Sequence, residues 1–219
     1  MVTIYSSRDD AARKLAEDLS RYRGQNPLVL AIPRGAVPMG QIIAQALGGE
    51  LDIVLVRKLG APGNPEFAVG AIDETGWAYV AEFARSVGAD DAYIEQAKKS
   101  QLRLLQNRRA IYTPSRAPID PAGRVAIVID DGLATGATMI AALHAVRAKR
   151  PARLVCAVPV APLECLERIR PYADEVVCLQ TPADFYAVGQ FYRDFRQVED
   201  EEVIGLLARS GASASGRRS

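Results

Sequence analysis

Two adjacent acids, Asp130 and Asp131, end an apolar run from Val125 to Ile129, and a turn of small residues follows them. That turn carries Gly132, Ala134, Thr135 and Gly136, and it opens a helical stretch at Ala137 and Thr138. Paired carboxylates can accept hydrogen bonds from a sugar diol or hold a hydrated divalent cation. Glycine lets backbone approach a ligand, the N–H groups at a helix start favour phosphate, and threonine hydroxyls add further donors. Phosphate beside a diol describes a ribose 5-phosphate. The bland alternative is an acid pair that only caps the next helix.

Competing phosphate motifs are missing. The chain has no G-x-x-x-x-G-K-[ST], no G-x-G-x-x-G after a strand, and no D-x-D-x-T for an aspartyl phosphate. The stretch instead resembles the phosphoribosyl-diphosphate (PRPP) signature of type I phosphoribosyltransferases, a hydrophobic strand followed by Asp-Asp-x-x-x-Thr-Gly-x-Thr. Every defining position matches. The resemblance implies a Mg²⁺-dependent transfer of the 5-phosphoribosyl group from PRPP to a purine or pyrimidine base, with release of diphosphate. Asp130 and Asp131 would grip the ribose and hold Mg²⁺, directly or through water. Ala134 to Thr138 would bind the 5-phosphate.

Other segments extend the resemblance. Pro33-Arg34-Gly35-Ala36 follows the apolar run Leu28 to Ile32, and it is similar to the family's pyrophosphate loop, which often holds a cis peptide beside its basic residue. An arginine fork and turn N–H groups suit a diphosphate, although a plain strand–helix turn with a surface arginine has the same sequence. Arg57 and Lys58 come before the Gly/Pro-rich segment Gly60 to Glu66, a placement similar to that in adenine and xanthine phosphoribosyltransferases. They are expected at a strand tip, with an irregular, lid-like loop after them. Glu66 either meets substrate on closure or is a solvated loop acid. Phe185, Tyr186, Phe191, Tyr192 and Phe195 fall in one non-periodic segment resembling the hood of purine phosphoribosyltransferases. Phe185 and Tyr186 fit either a platform for a base or a seal on the core, while Phe191 and Phe195 read as core.

The elements that must position these groups alternate in type. Residues 8 to 22 read as an amphipathic helix, Leu28 to Ile32 as a strand, Met39 to Leu47 as a helix and Leu51 to Val56 as a strand. Val69–Ile72 and Trp77–Val80 flank a hairpin-like turn, and a long helix with a charged, solvated face covers residues 90 to 112. Past the motif helix come a strand at 153–160, a helix at 162–169, a strand at 174–179 and a short helix at 202–209. The pattern predicts one α/β domain over residues 1–209, with a mainly parallel sheet flanked by helices (core about 25–180) and a small hood (about 181–209). Residues 210–219 read as a disordered tail.

Bulk properties set limits. The chain has 219 residues, a net charge of +1 and 49% hydrophobic residues, so no nucleic-acid or membrane partner is expected and a homodimer is compatible. Apolar runs are strand-sized, and the first residues lack a signal-like pattern, which points to the cytoplasm. Cys156, Cys165 and Cys178 lack metal spacing and read as reduced thiols. The single histidine, His144, has no partners for a hydrolytic triad or a metal site. In enzymes for 6-oxopurines a carboxylate stands immediately before the Thr-Gly pair. Ala134 takes that place here, so poor turnover of hypoxanthine and guanine is expected. The same residues also suit a PRPP-sensing regulator without transferase activity, or a non-catalytic partner subunit.

Overall fold

The computed structural model describes residues 3–114 and 117–215. Its elements run α1 (Arg8–Asp18), β1 (Leu28–Ala31), α2 (Ala36–Leu47), β2 (Glu50–Ile53), β3 (Val56–Ala61), β4 (Asn64–Asp73), β5 (Ala78–Val80) and α3 (Asp91–Tyr112). They continue as β6 (Val125–Ile129), α4 (Ala137–Ala148), β7 (Arg153–Val160), α5 (Leu163–Ile169), β8 (Glu175–Gln180) and α6 (Asp200–Ser215). Five strands form a parallel sheet in the order β2-β1-β6-β7-β8, with helices on both faces, as the alternating pattern predicts. Strand side chains alternate between faces. Val29, Ala31, Ile127, Ile129 and Val155 join α1 and α2 in one core. Leu28, Leu30, Ala126, Val128 and Cys156 join α4 and α5 in the other.

The predicted hairpin around Asp73–Gly76 is present, and it belongs to a separate three-stranded antiparallel sheet, β3-β4-β5. Here the strand expected over Leu51–Val56 divides. β2 stops at Ile53, and β3 starts at Val56 and pairs with β4 alone, so Arg57 and Lys58 sit inside an antiparallel strand and not at a tip of the parallel sheet. The Gly60–Glu66 segment is likewise a hairpin and not an irregular lid. Ala61 pairs with Asn64 across Pro62-Gly63, Gly63 has φ +73°, and the register shifts at Gly60. Gly60 is required there because a Cβ would lie 2.5 Å from the Pro65 carbonyl oxygen. The side chain of Glu66 lies outside the described residues.

Further expectations need correction. α1 ends at Asp18, and only a single 3₁₀ turn, Ser20–Tyr22, continues it. α6 runs through Ser215, into the stretch read as a tail, while 216–219 lie outside the described residues. Arg109, expected on a solvated face, is largely buried and donates to both Glu74 carboxylate oxygens (3.0 and 2.8 Å) and to the Ile53 carbonyl (3.2 Å). It ties the hairpin to β2. His144 stacks on Trp77 at 3.5 Å, a packing role away from the acid pair. All three cysteines are free thiols, and burial pushes Cys178 up to about 11. Among the described residues no helix is long and apolar enough to cross a membrane.

α2 lies tight against the sheet at Gly40, where a Cβ would come 2.6 Å from Leu51 Cδ1 and 3.3 Å from both Ala31 Cβ and Ile129 Cδ1. Gly40→Val adds three carbons to this close contact, and overpacking costs roughly 1–3 kcal/mol. The variant should therefore melt below the unsubstituted protein in calorimetry. An equal or higher melting temperature would show that the contact relaxes freely.

Candidate functional site

β1 and β6 are neighbours in register, with Ala31 beside Ile129. Ile32 then donates its N–H to the Ile129 carbonyl at 3.0 Å, so the chain leaves both strands at one level. The loops that follow, Pro33-Arg34-Gly35 and Asp130-Asp131-Gly132, meet at the carboxyl edge of the sheet, where open α/β sheets bind ligands. The Pro33–Arg34 peptide bond is cis. Gly35 is in contact with the acid pair, since a Cβ there would lie 2.2 Å from Asp131 Oδ2. Only glycine fits that approach.

The acids differ in their surroundings. Asp130 Oδ1 accepts the Asp131 N–H at 2.9 Å. Asp131 Oδ2 accepts from Arg8 Nε at 2.8 Å, and Arg8 Nη2 lies at 2.8 Å from the same oxygen. The hydroxyl of Tyr192 donates to the Asp131 carbonyl at 2.5 Å. Burial drives the Asp130 carboxyl well above the usual carboxylate range, the neighbouring Asp131 pushes the same way, and Arg8 and Lys58 oppose the rise. Asp131 is raised too, by burial, with Arg8 working against it. Arg8 escapes a reading of the sequence. It stands in the first turn of a helix 123 positions before its partner, and no local pattern marks it.

The turn after the acids has the shape its residues suggest. Gly136 has φ +74° and caps α4 without a side-chain bond, which leaves the helix start open to an anion. A Cβ on Gly136 would stand 2.7 Å from Cys165 Sγ, so α5 packs directly beneath. Arg168 of α5 donates to the Thr135 carbonyl at 2.9 Å. Ala134 and Thr135 are exposed, Thr138 is half-buried, and Ala137 starts the helix.

The basic residues divide. Arg34 Nη1 lies 3.5 Å from Glu199 Oε2 and 3.7 Å from Asp200 Oδ1, both at the start of α6. Lys58 shares a face of β3 with Val56, which packs on Ala137 and Ala141 of α4. Its charge therefore reaches Asp130. Arg57 points the other way and donates to Gln101 of α3 at 2.5 Å, so the expected basic pair is split across the strand.

The hood segment is tied to the start of the chain. Tyr5 donates its N–H to the Phe191 carbonyl (2.8 Å) and accepts from Arg193 (2.9 Å), and Ser6 accepts from Asp194 (3.1 Å). Phe191 is core, as expected, and Phe185 leans on it with centroids 5.3 Å apart. Tyr186 is 90% exposed. Phe195, expected in the core, is partly exposed, stacked on Tyr192 and covered by the Arg8 guanidinium 3.9 Å above its ring. Val188 closes onto the acid loop, within 2.6 Å of where a Cβ on Gly132 would be. Among the described residues no group of three or more His, Cys, Asp or Glu side chains could hold a metal ion.

The family model described as phosphoribosyl transferase domain matches residues 3–196. The chain is 43% identical over 208 residues to proteins of Mycobacterium tuberculosis strains CDC 1551 and H37Rv that bear the provisional name of phosphoribosyl transferase. The match takes in 94% of this chain and 47% of each relative, so the chain spans about half the length of the curated relatives it matches. The crystal structure of TT1426 from Thermus thermophilus is 44% identical and superposes with a TM-score of 0.80, covering 94% of this chain and 99% of that one.

Two carboxyls crowded at one strand end destabilise the free protein once both are charged. A folded-state pKa raised above the unfolded value gives stability that is present at low pH and lost as pH rises through the folded value. Asp130→Asn should therefore melt higher than the parent at pH 8, and the gap should close as pH falls into the ordinary carboxylate range. Calorimetry across pH 8 to 4 checks this, and a lower melting point for the variant at pH 8 would contradict it.

Proposed function

The chain belongs to the type I phosphoribosyltransferase family, and on that footing we propose that it transfers the 5-phosphoribosyl group from PRPP to a nitrogenous base, releasing diphosphate. The observation that carries the proposal is the meeting of three loop features at one sheet edge. The acid pair 130–131, the open α4 start at 135–138 and the Pro33–Gly35 loop adjoin through the β1–β6 register.

In this reading Thr135, Gly136, Ala137 and Thr138 bind the 5-phosphate with backbone N–H groups and hydroxyls. Asp130 and Asp131 orient the ribose by its diol while the anomeric carbon moves between leaving group and acceptor. Arg34, with the N–H groups of Gly35 and Ala36, takes the diphosphate, and Lys58 adds positive charge on the other side. Two adjacent carboxylates with no third protein ligand among the described residues fit Mg²⁺, which is usually held by one or two carboxylates together with substrate oxygens and water. Asp130 and Asp131 would hold it, and it would supply neutralisation of the growing negative charge on diphosphate. The base would rest on Tyr186, which is free to stack, with Phe185 supporting the hood behind it. Ala134 offers no proton relay, so hypoxanthine and guanine should be poor acceptors. Arg57 would act at a distance, by holding α3 against the hairpin. A cytoplasmic location, no nucleic-acid partner at a net charge of +1, and a homodimer belong to the same proposal.

One observation favours a second reading. Val188 lies on Gly132, beside the acid pair, where an acceptor would have to approach. A PRPP-sensing regulator needs no acceptor space. The two readings separate when the protein is incubated with Mg²⁺-PRPP and a panel of purine and pyrimidine bases. Base-dependent diphosphate release supports transfer; PRPP binding without release for any base supports the sensor; absence of PRPP binding removes both.

Arg34→Ala discriminates among the phosphate ligands. A hydrogen bond to a charged group contributes about 1.5–3 kcal/mol, roughly ten- to hundredfold in affinity. Calorimetric titration should show PRPP and diphosphate weakened by that factor and ribose 5-phosphate left within about twofold. Equal weakening of all three would make Arg34 a structural residue.

A further inference from the structure

Arg8 joins two separate parts of the chain, the acid loop at Asp131 and the segment Phe195–Arg196. Its Nε and Nη2 lie 2.8 Å from Asp131 Oδ2, its Nη1 donates to the Arg196 carbonyl at 2.7 Å, and its guanidinium covers Phe195. The Arg8 and Asp131 side chains are only 12% and 16% exposed. The remaining approach is closed by Gly35, where an added Cβ would lie 3.1 Å from Arg8 and 2.2 Å from Asp131. The backbone around Arg8 is fixed as well. Ser7 caps α1, and Tyr5 and Ser6 pair with residues 191–194.

We infer that Arg8 is a positioning residue of the PRPP site: it locks Asp131 to the hood segment Phe195–Arg196 and leaves Asp130 as the acid that faces the ribose diol. This deepens the proposed function and rests on it. The geometry assigns unlike roles to two acids that the motif presents as equals. Asp131 has one oxygen committed to a guanidinium and its carbonyl to Tyr192. Asp130 accepts only the N–H of the next residue among the hydrogen bonds of the described residues. A planar guanidinium suits this work better than an ammonium, because it can serve one carboxylate, one carbonyl and one ring together. The hood and the acid loop then move as one body, and the distance between diol acids and base platform is set by the first turn of α1.

The test uses the full chain with Mg²⁺ and three ligands: PRPP, ribose 5-phosphate and diphosphate. Variants are Arg8→Met, Arg8→Lys, Asp131→Asn and the double variant Arg8→Met/Asp131→Asn. Arg8→Met should weaken the two diol-bearing ligands tenfold or more and leave diphosphate within twofold, a selectivity that general loosening of the fold would not give. Arg8→Lys should recover part of the loss. Coupled residues are non-additive, so the double variant should bind no worse than Asp131→Asn alone. Should Arg8→Met fail to fold, the double variant, which strands no carboxylate, carries the comparison: selective weakening supports the assignment and uniform weakening overturns it. Binding of PRPP by Arg8→Met within twofold of the parent overturns the role of Arg8 alone. A parent protein that binds diphosphate but neither ribose ligand overturns the PRPP reading together with it.

Discussion

The N–H of Ile32 on the carbonyl of Ile129 is the last rung between β1 and β6, and the geometry of the carboxyl edge depends on it. A shift by one residue would turn every apolar side chain of β1 to the opposite face. With Val29 and Ala31 in one core and Leu28 and Leu30 in the other, either face would lose its packing. The register is thus fixed by burial on both sides of the sheet. Its consequence is chemical: Gly35 is delivered to Asp131 at a distance only a glycine tolerates. Packing far from the ligand edge decides which loops meet there.

The second constraint is electrostatic. Placing Asp130 beside Asp131 in a half-buried loop works against folding, because burial and mutual repulsion both oppose the charged forms. The fold answers with cations from two distant places, Arg8 on α1 and Lys58 on β3. Neither belongs to the acid loop, and each is delivered by an element with a separate reason to form. α1 has Ser7 as its cap and buries Ala11, Ala12, Leu15 and Ala16. β3 is held by β4 and packs Val56 on α4. Local instability at the acid pair is offset by tertiary structure, which is where strained sites usually find their compensation.

This division explains what can be read from the residues alone. The strand–acid–turn–helix run is legible because all its parts lie within a stretch whose chemistry and geometry are local. The parallel sheet is legible from alternating apolar runs. Arg8 is not, since nothing near Arg8 encodes Asp131. The hairpin at Gly60–Glu66 differs from the expected lid because glycine and proline signal loops and tight turns alike; the pairing of Ala61 with Asn64 selects the turn. Once β3 is a strand, its period of two separates Arg57 from Lys58, and the pair expected as one patch becomes two residues with different neighbours. Phe195 reads as core by type, but its ring is stacked on Tyr192, covered by a guanidinium and left partly exposed.

The two arginines at the site show how magnitude decides between similar contacts. Arg34 meets Glu199 and Asp200 at 3.5 and 3.7 Å, with partners 61% and 37% exposed. Solvent-exposed pairs of that kind contribute about 0–1 kcal/mol, so little opposes the exchange of these partners for the diphosphate that the proposed function assigns to Arg34. Arg8 meets Asp131 at 2.8 Å with both side chains largely covered, and removing one partner of such a pair strands a carboxylate at a cost of up to about 3–5 kcal/mol if the pair were fully buried. A ligand would have to replace that whole interaction to release it. The loosely held guanidinium is therefore the one that can change partners and the tightly held one the one that keeps the acid loop in shape, although both are arginines beside acids at the same edge of the sheet.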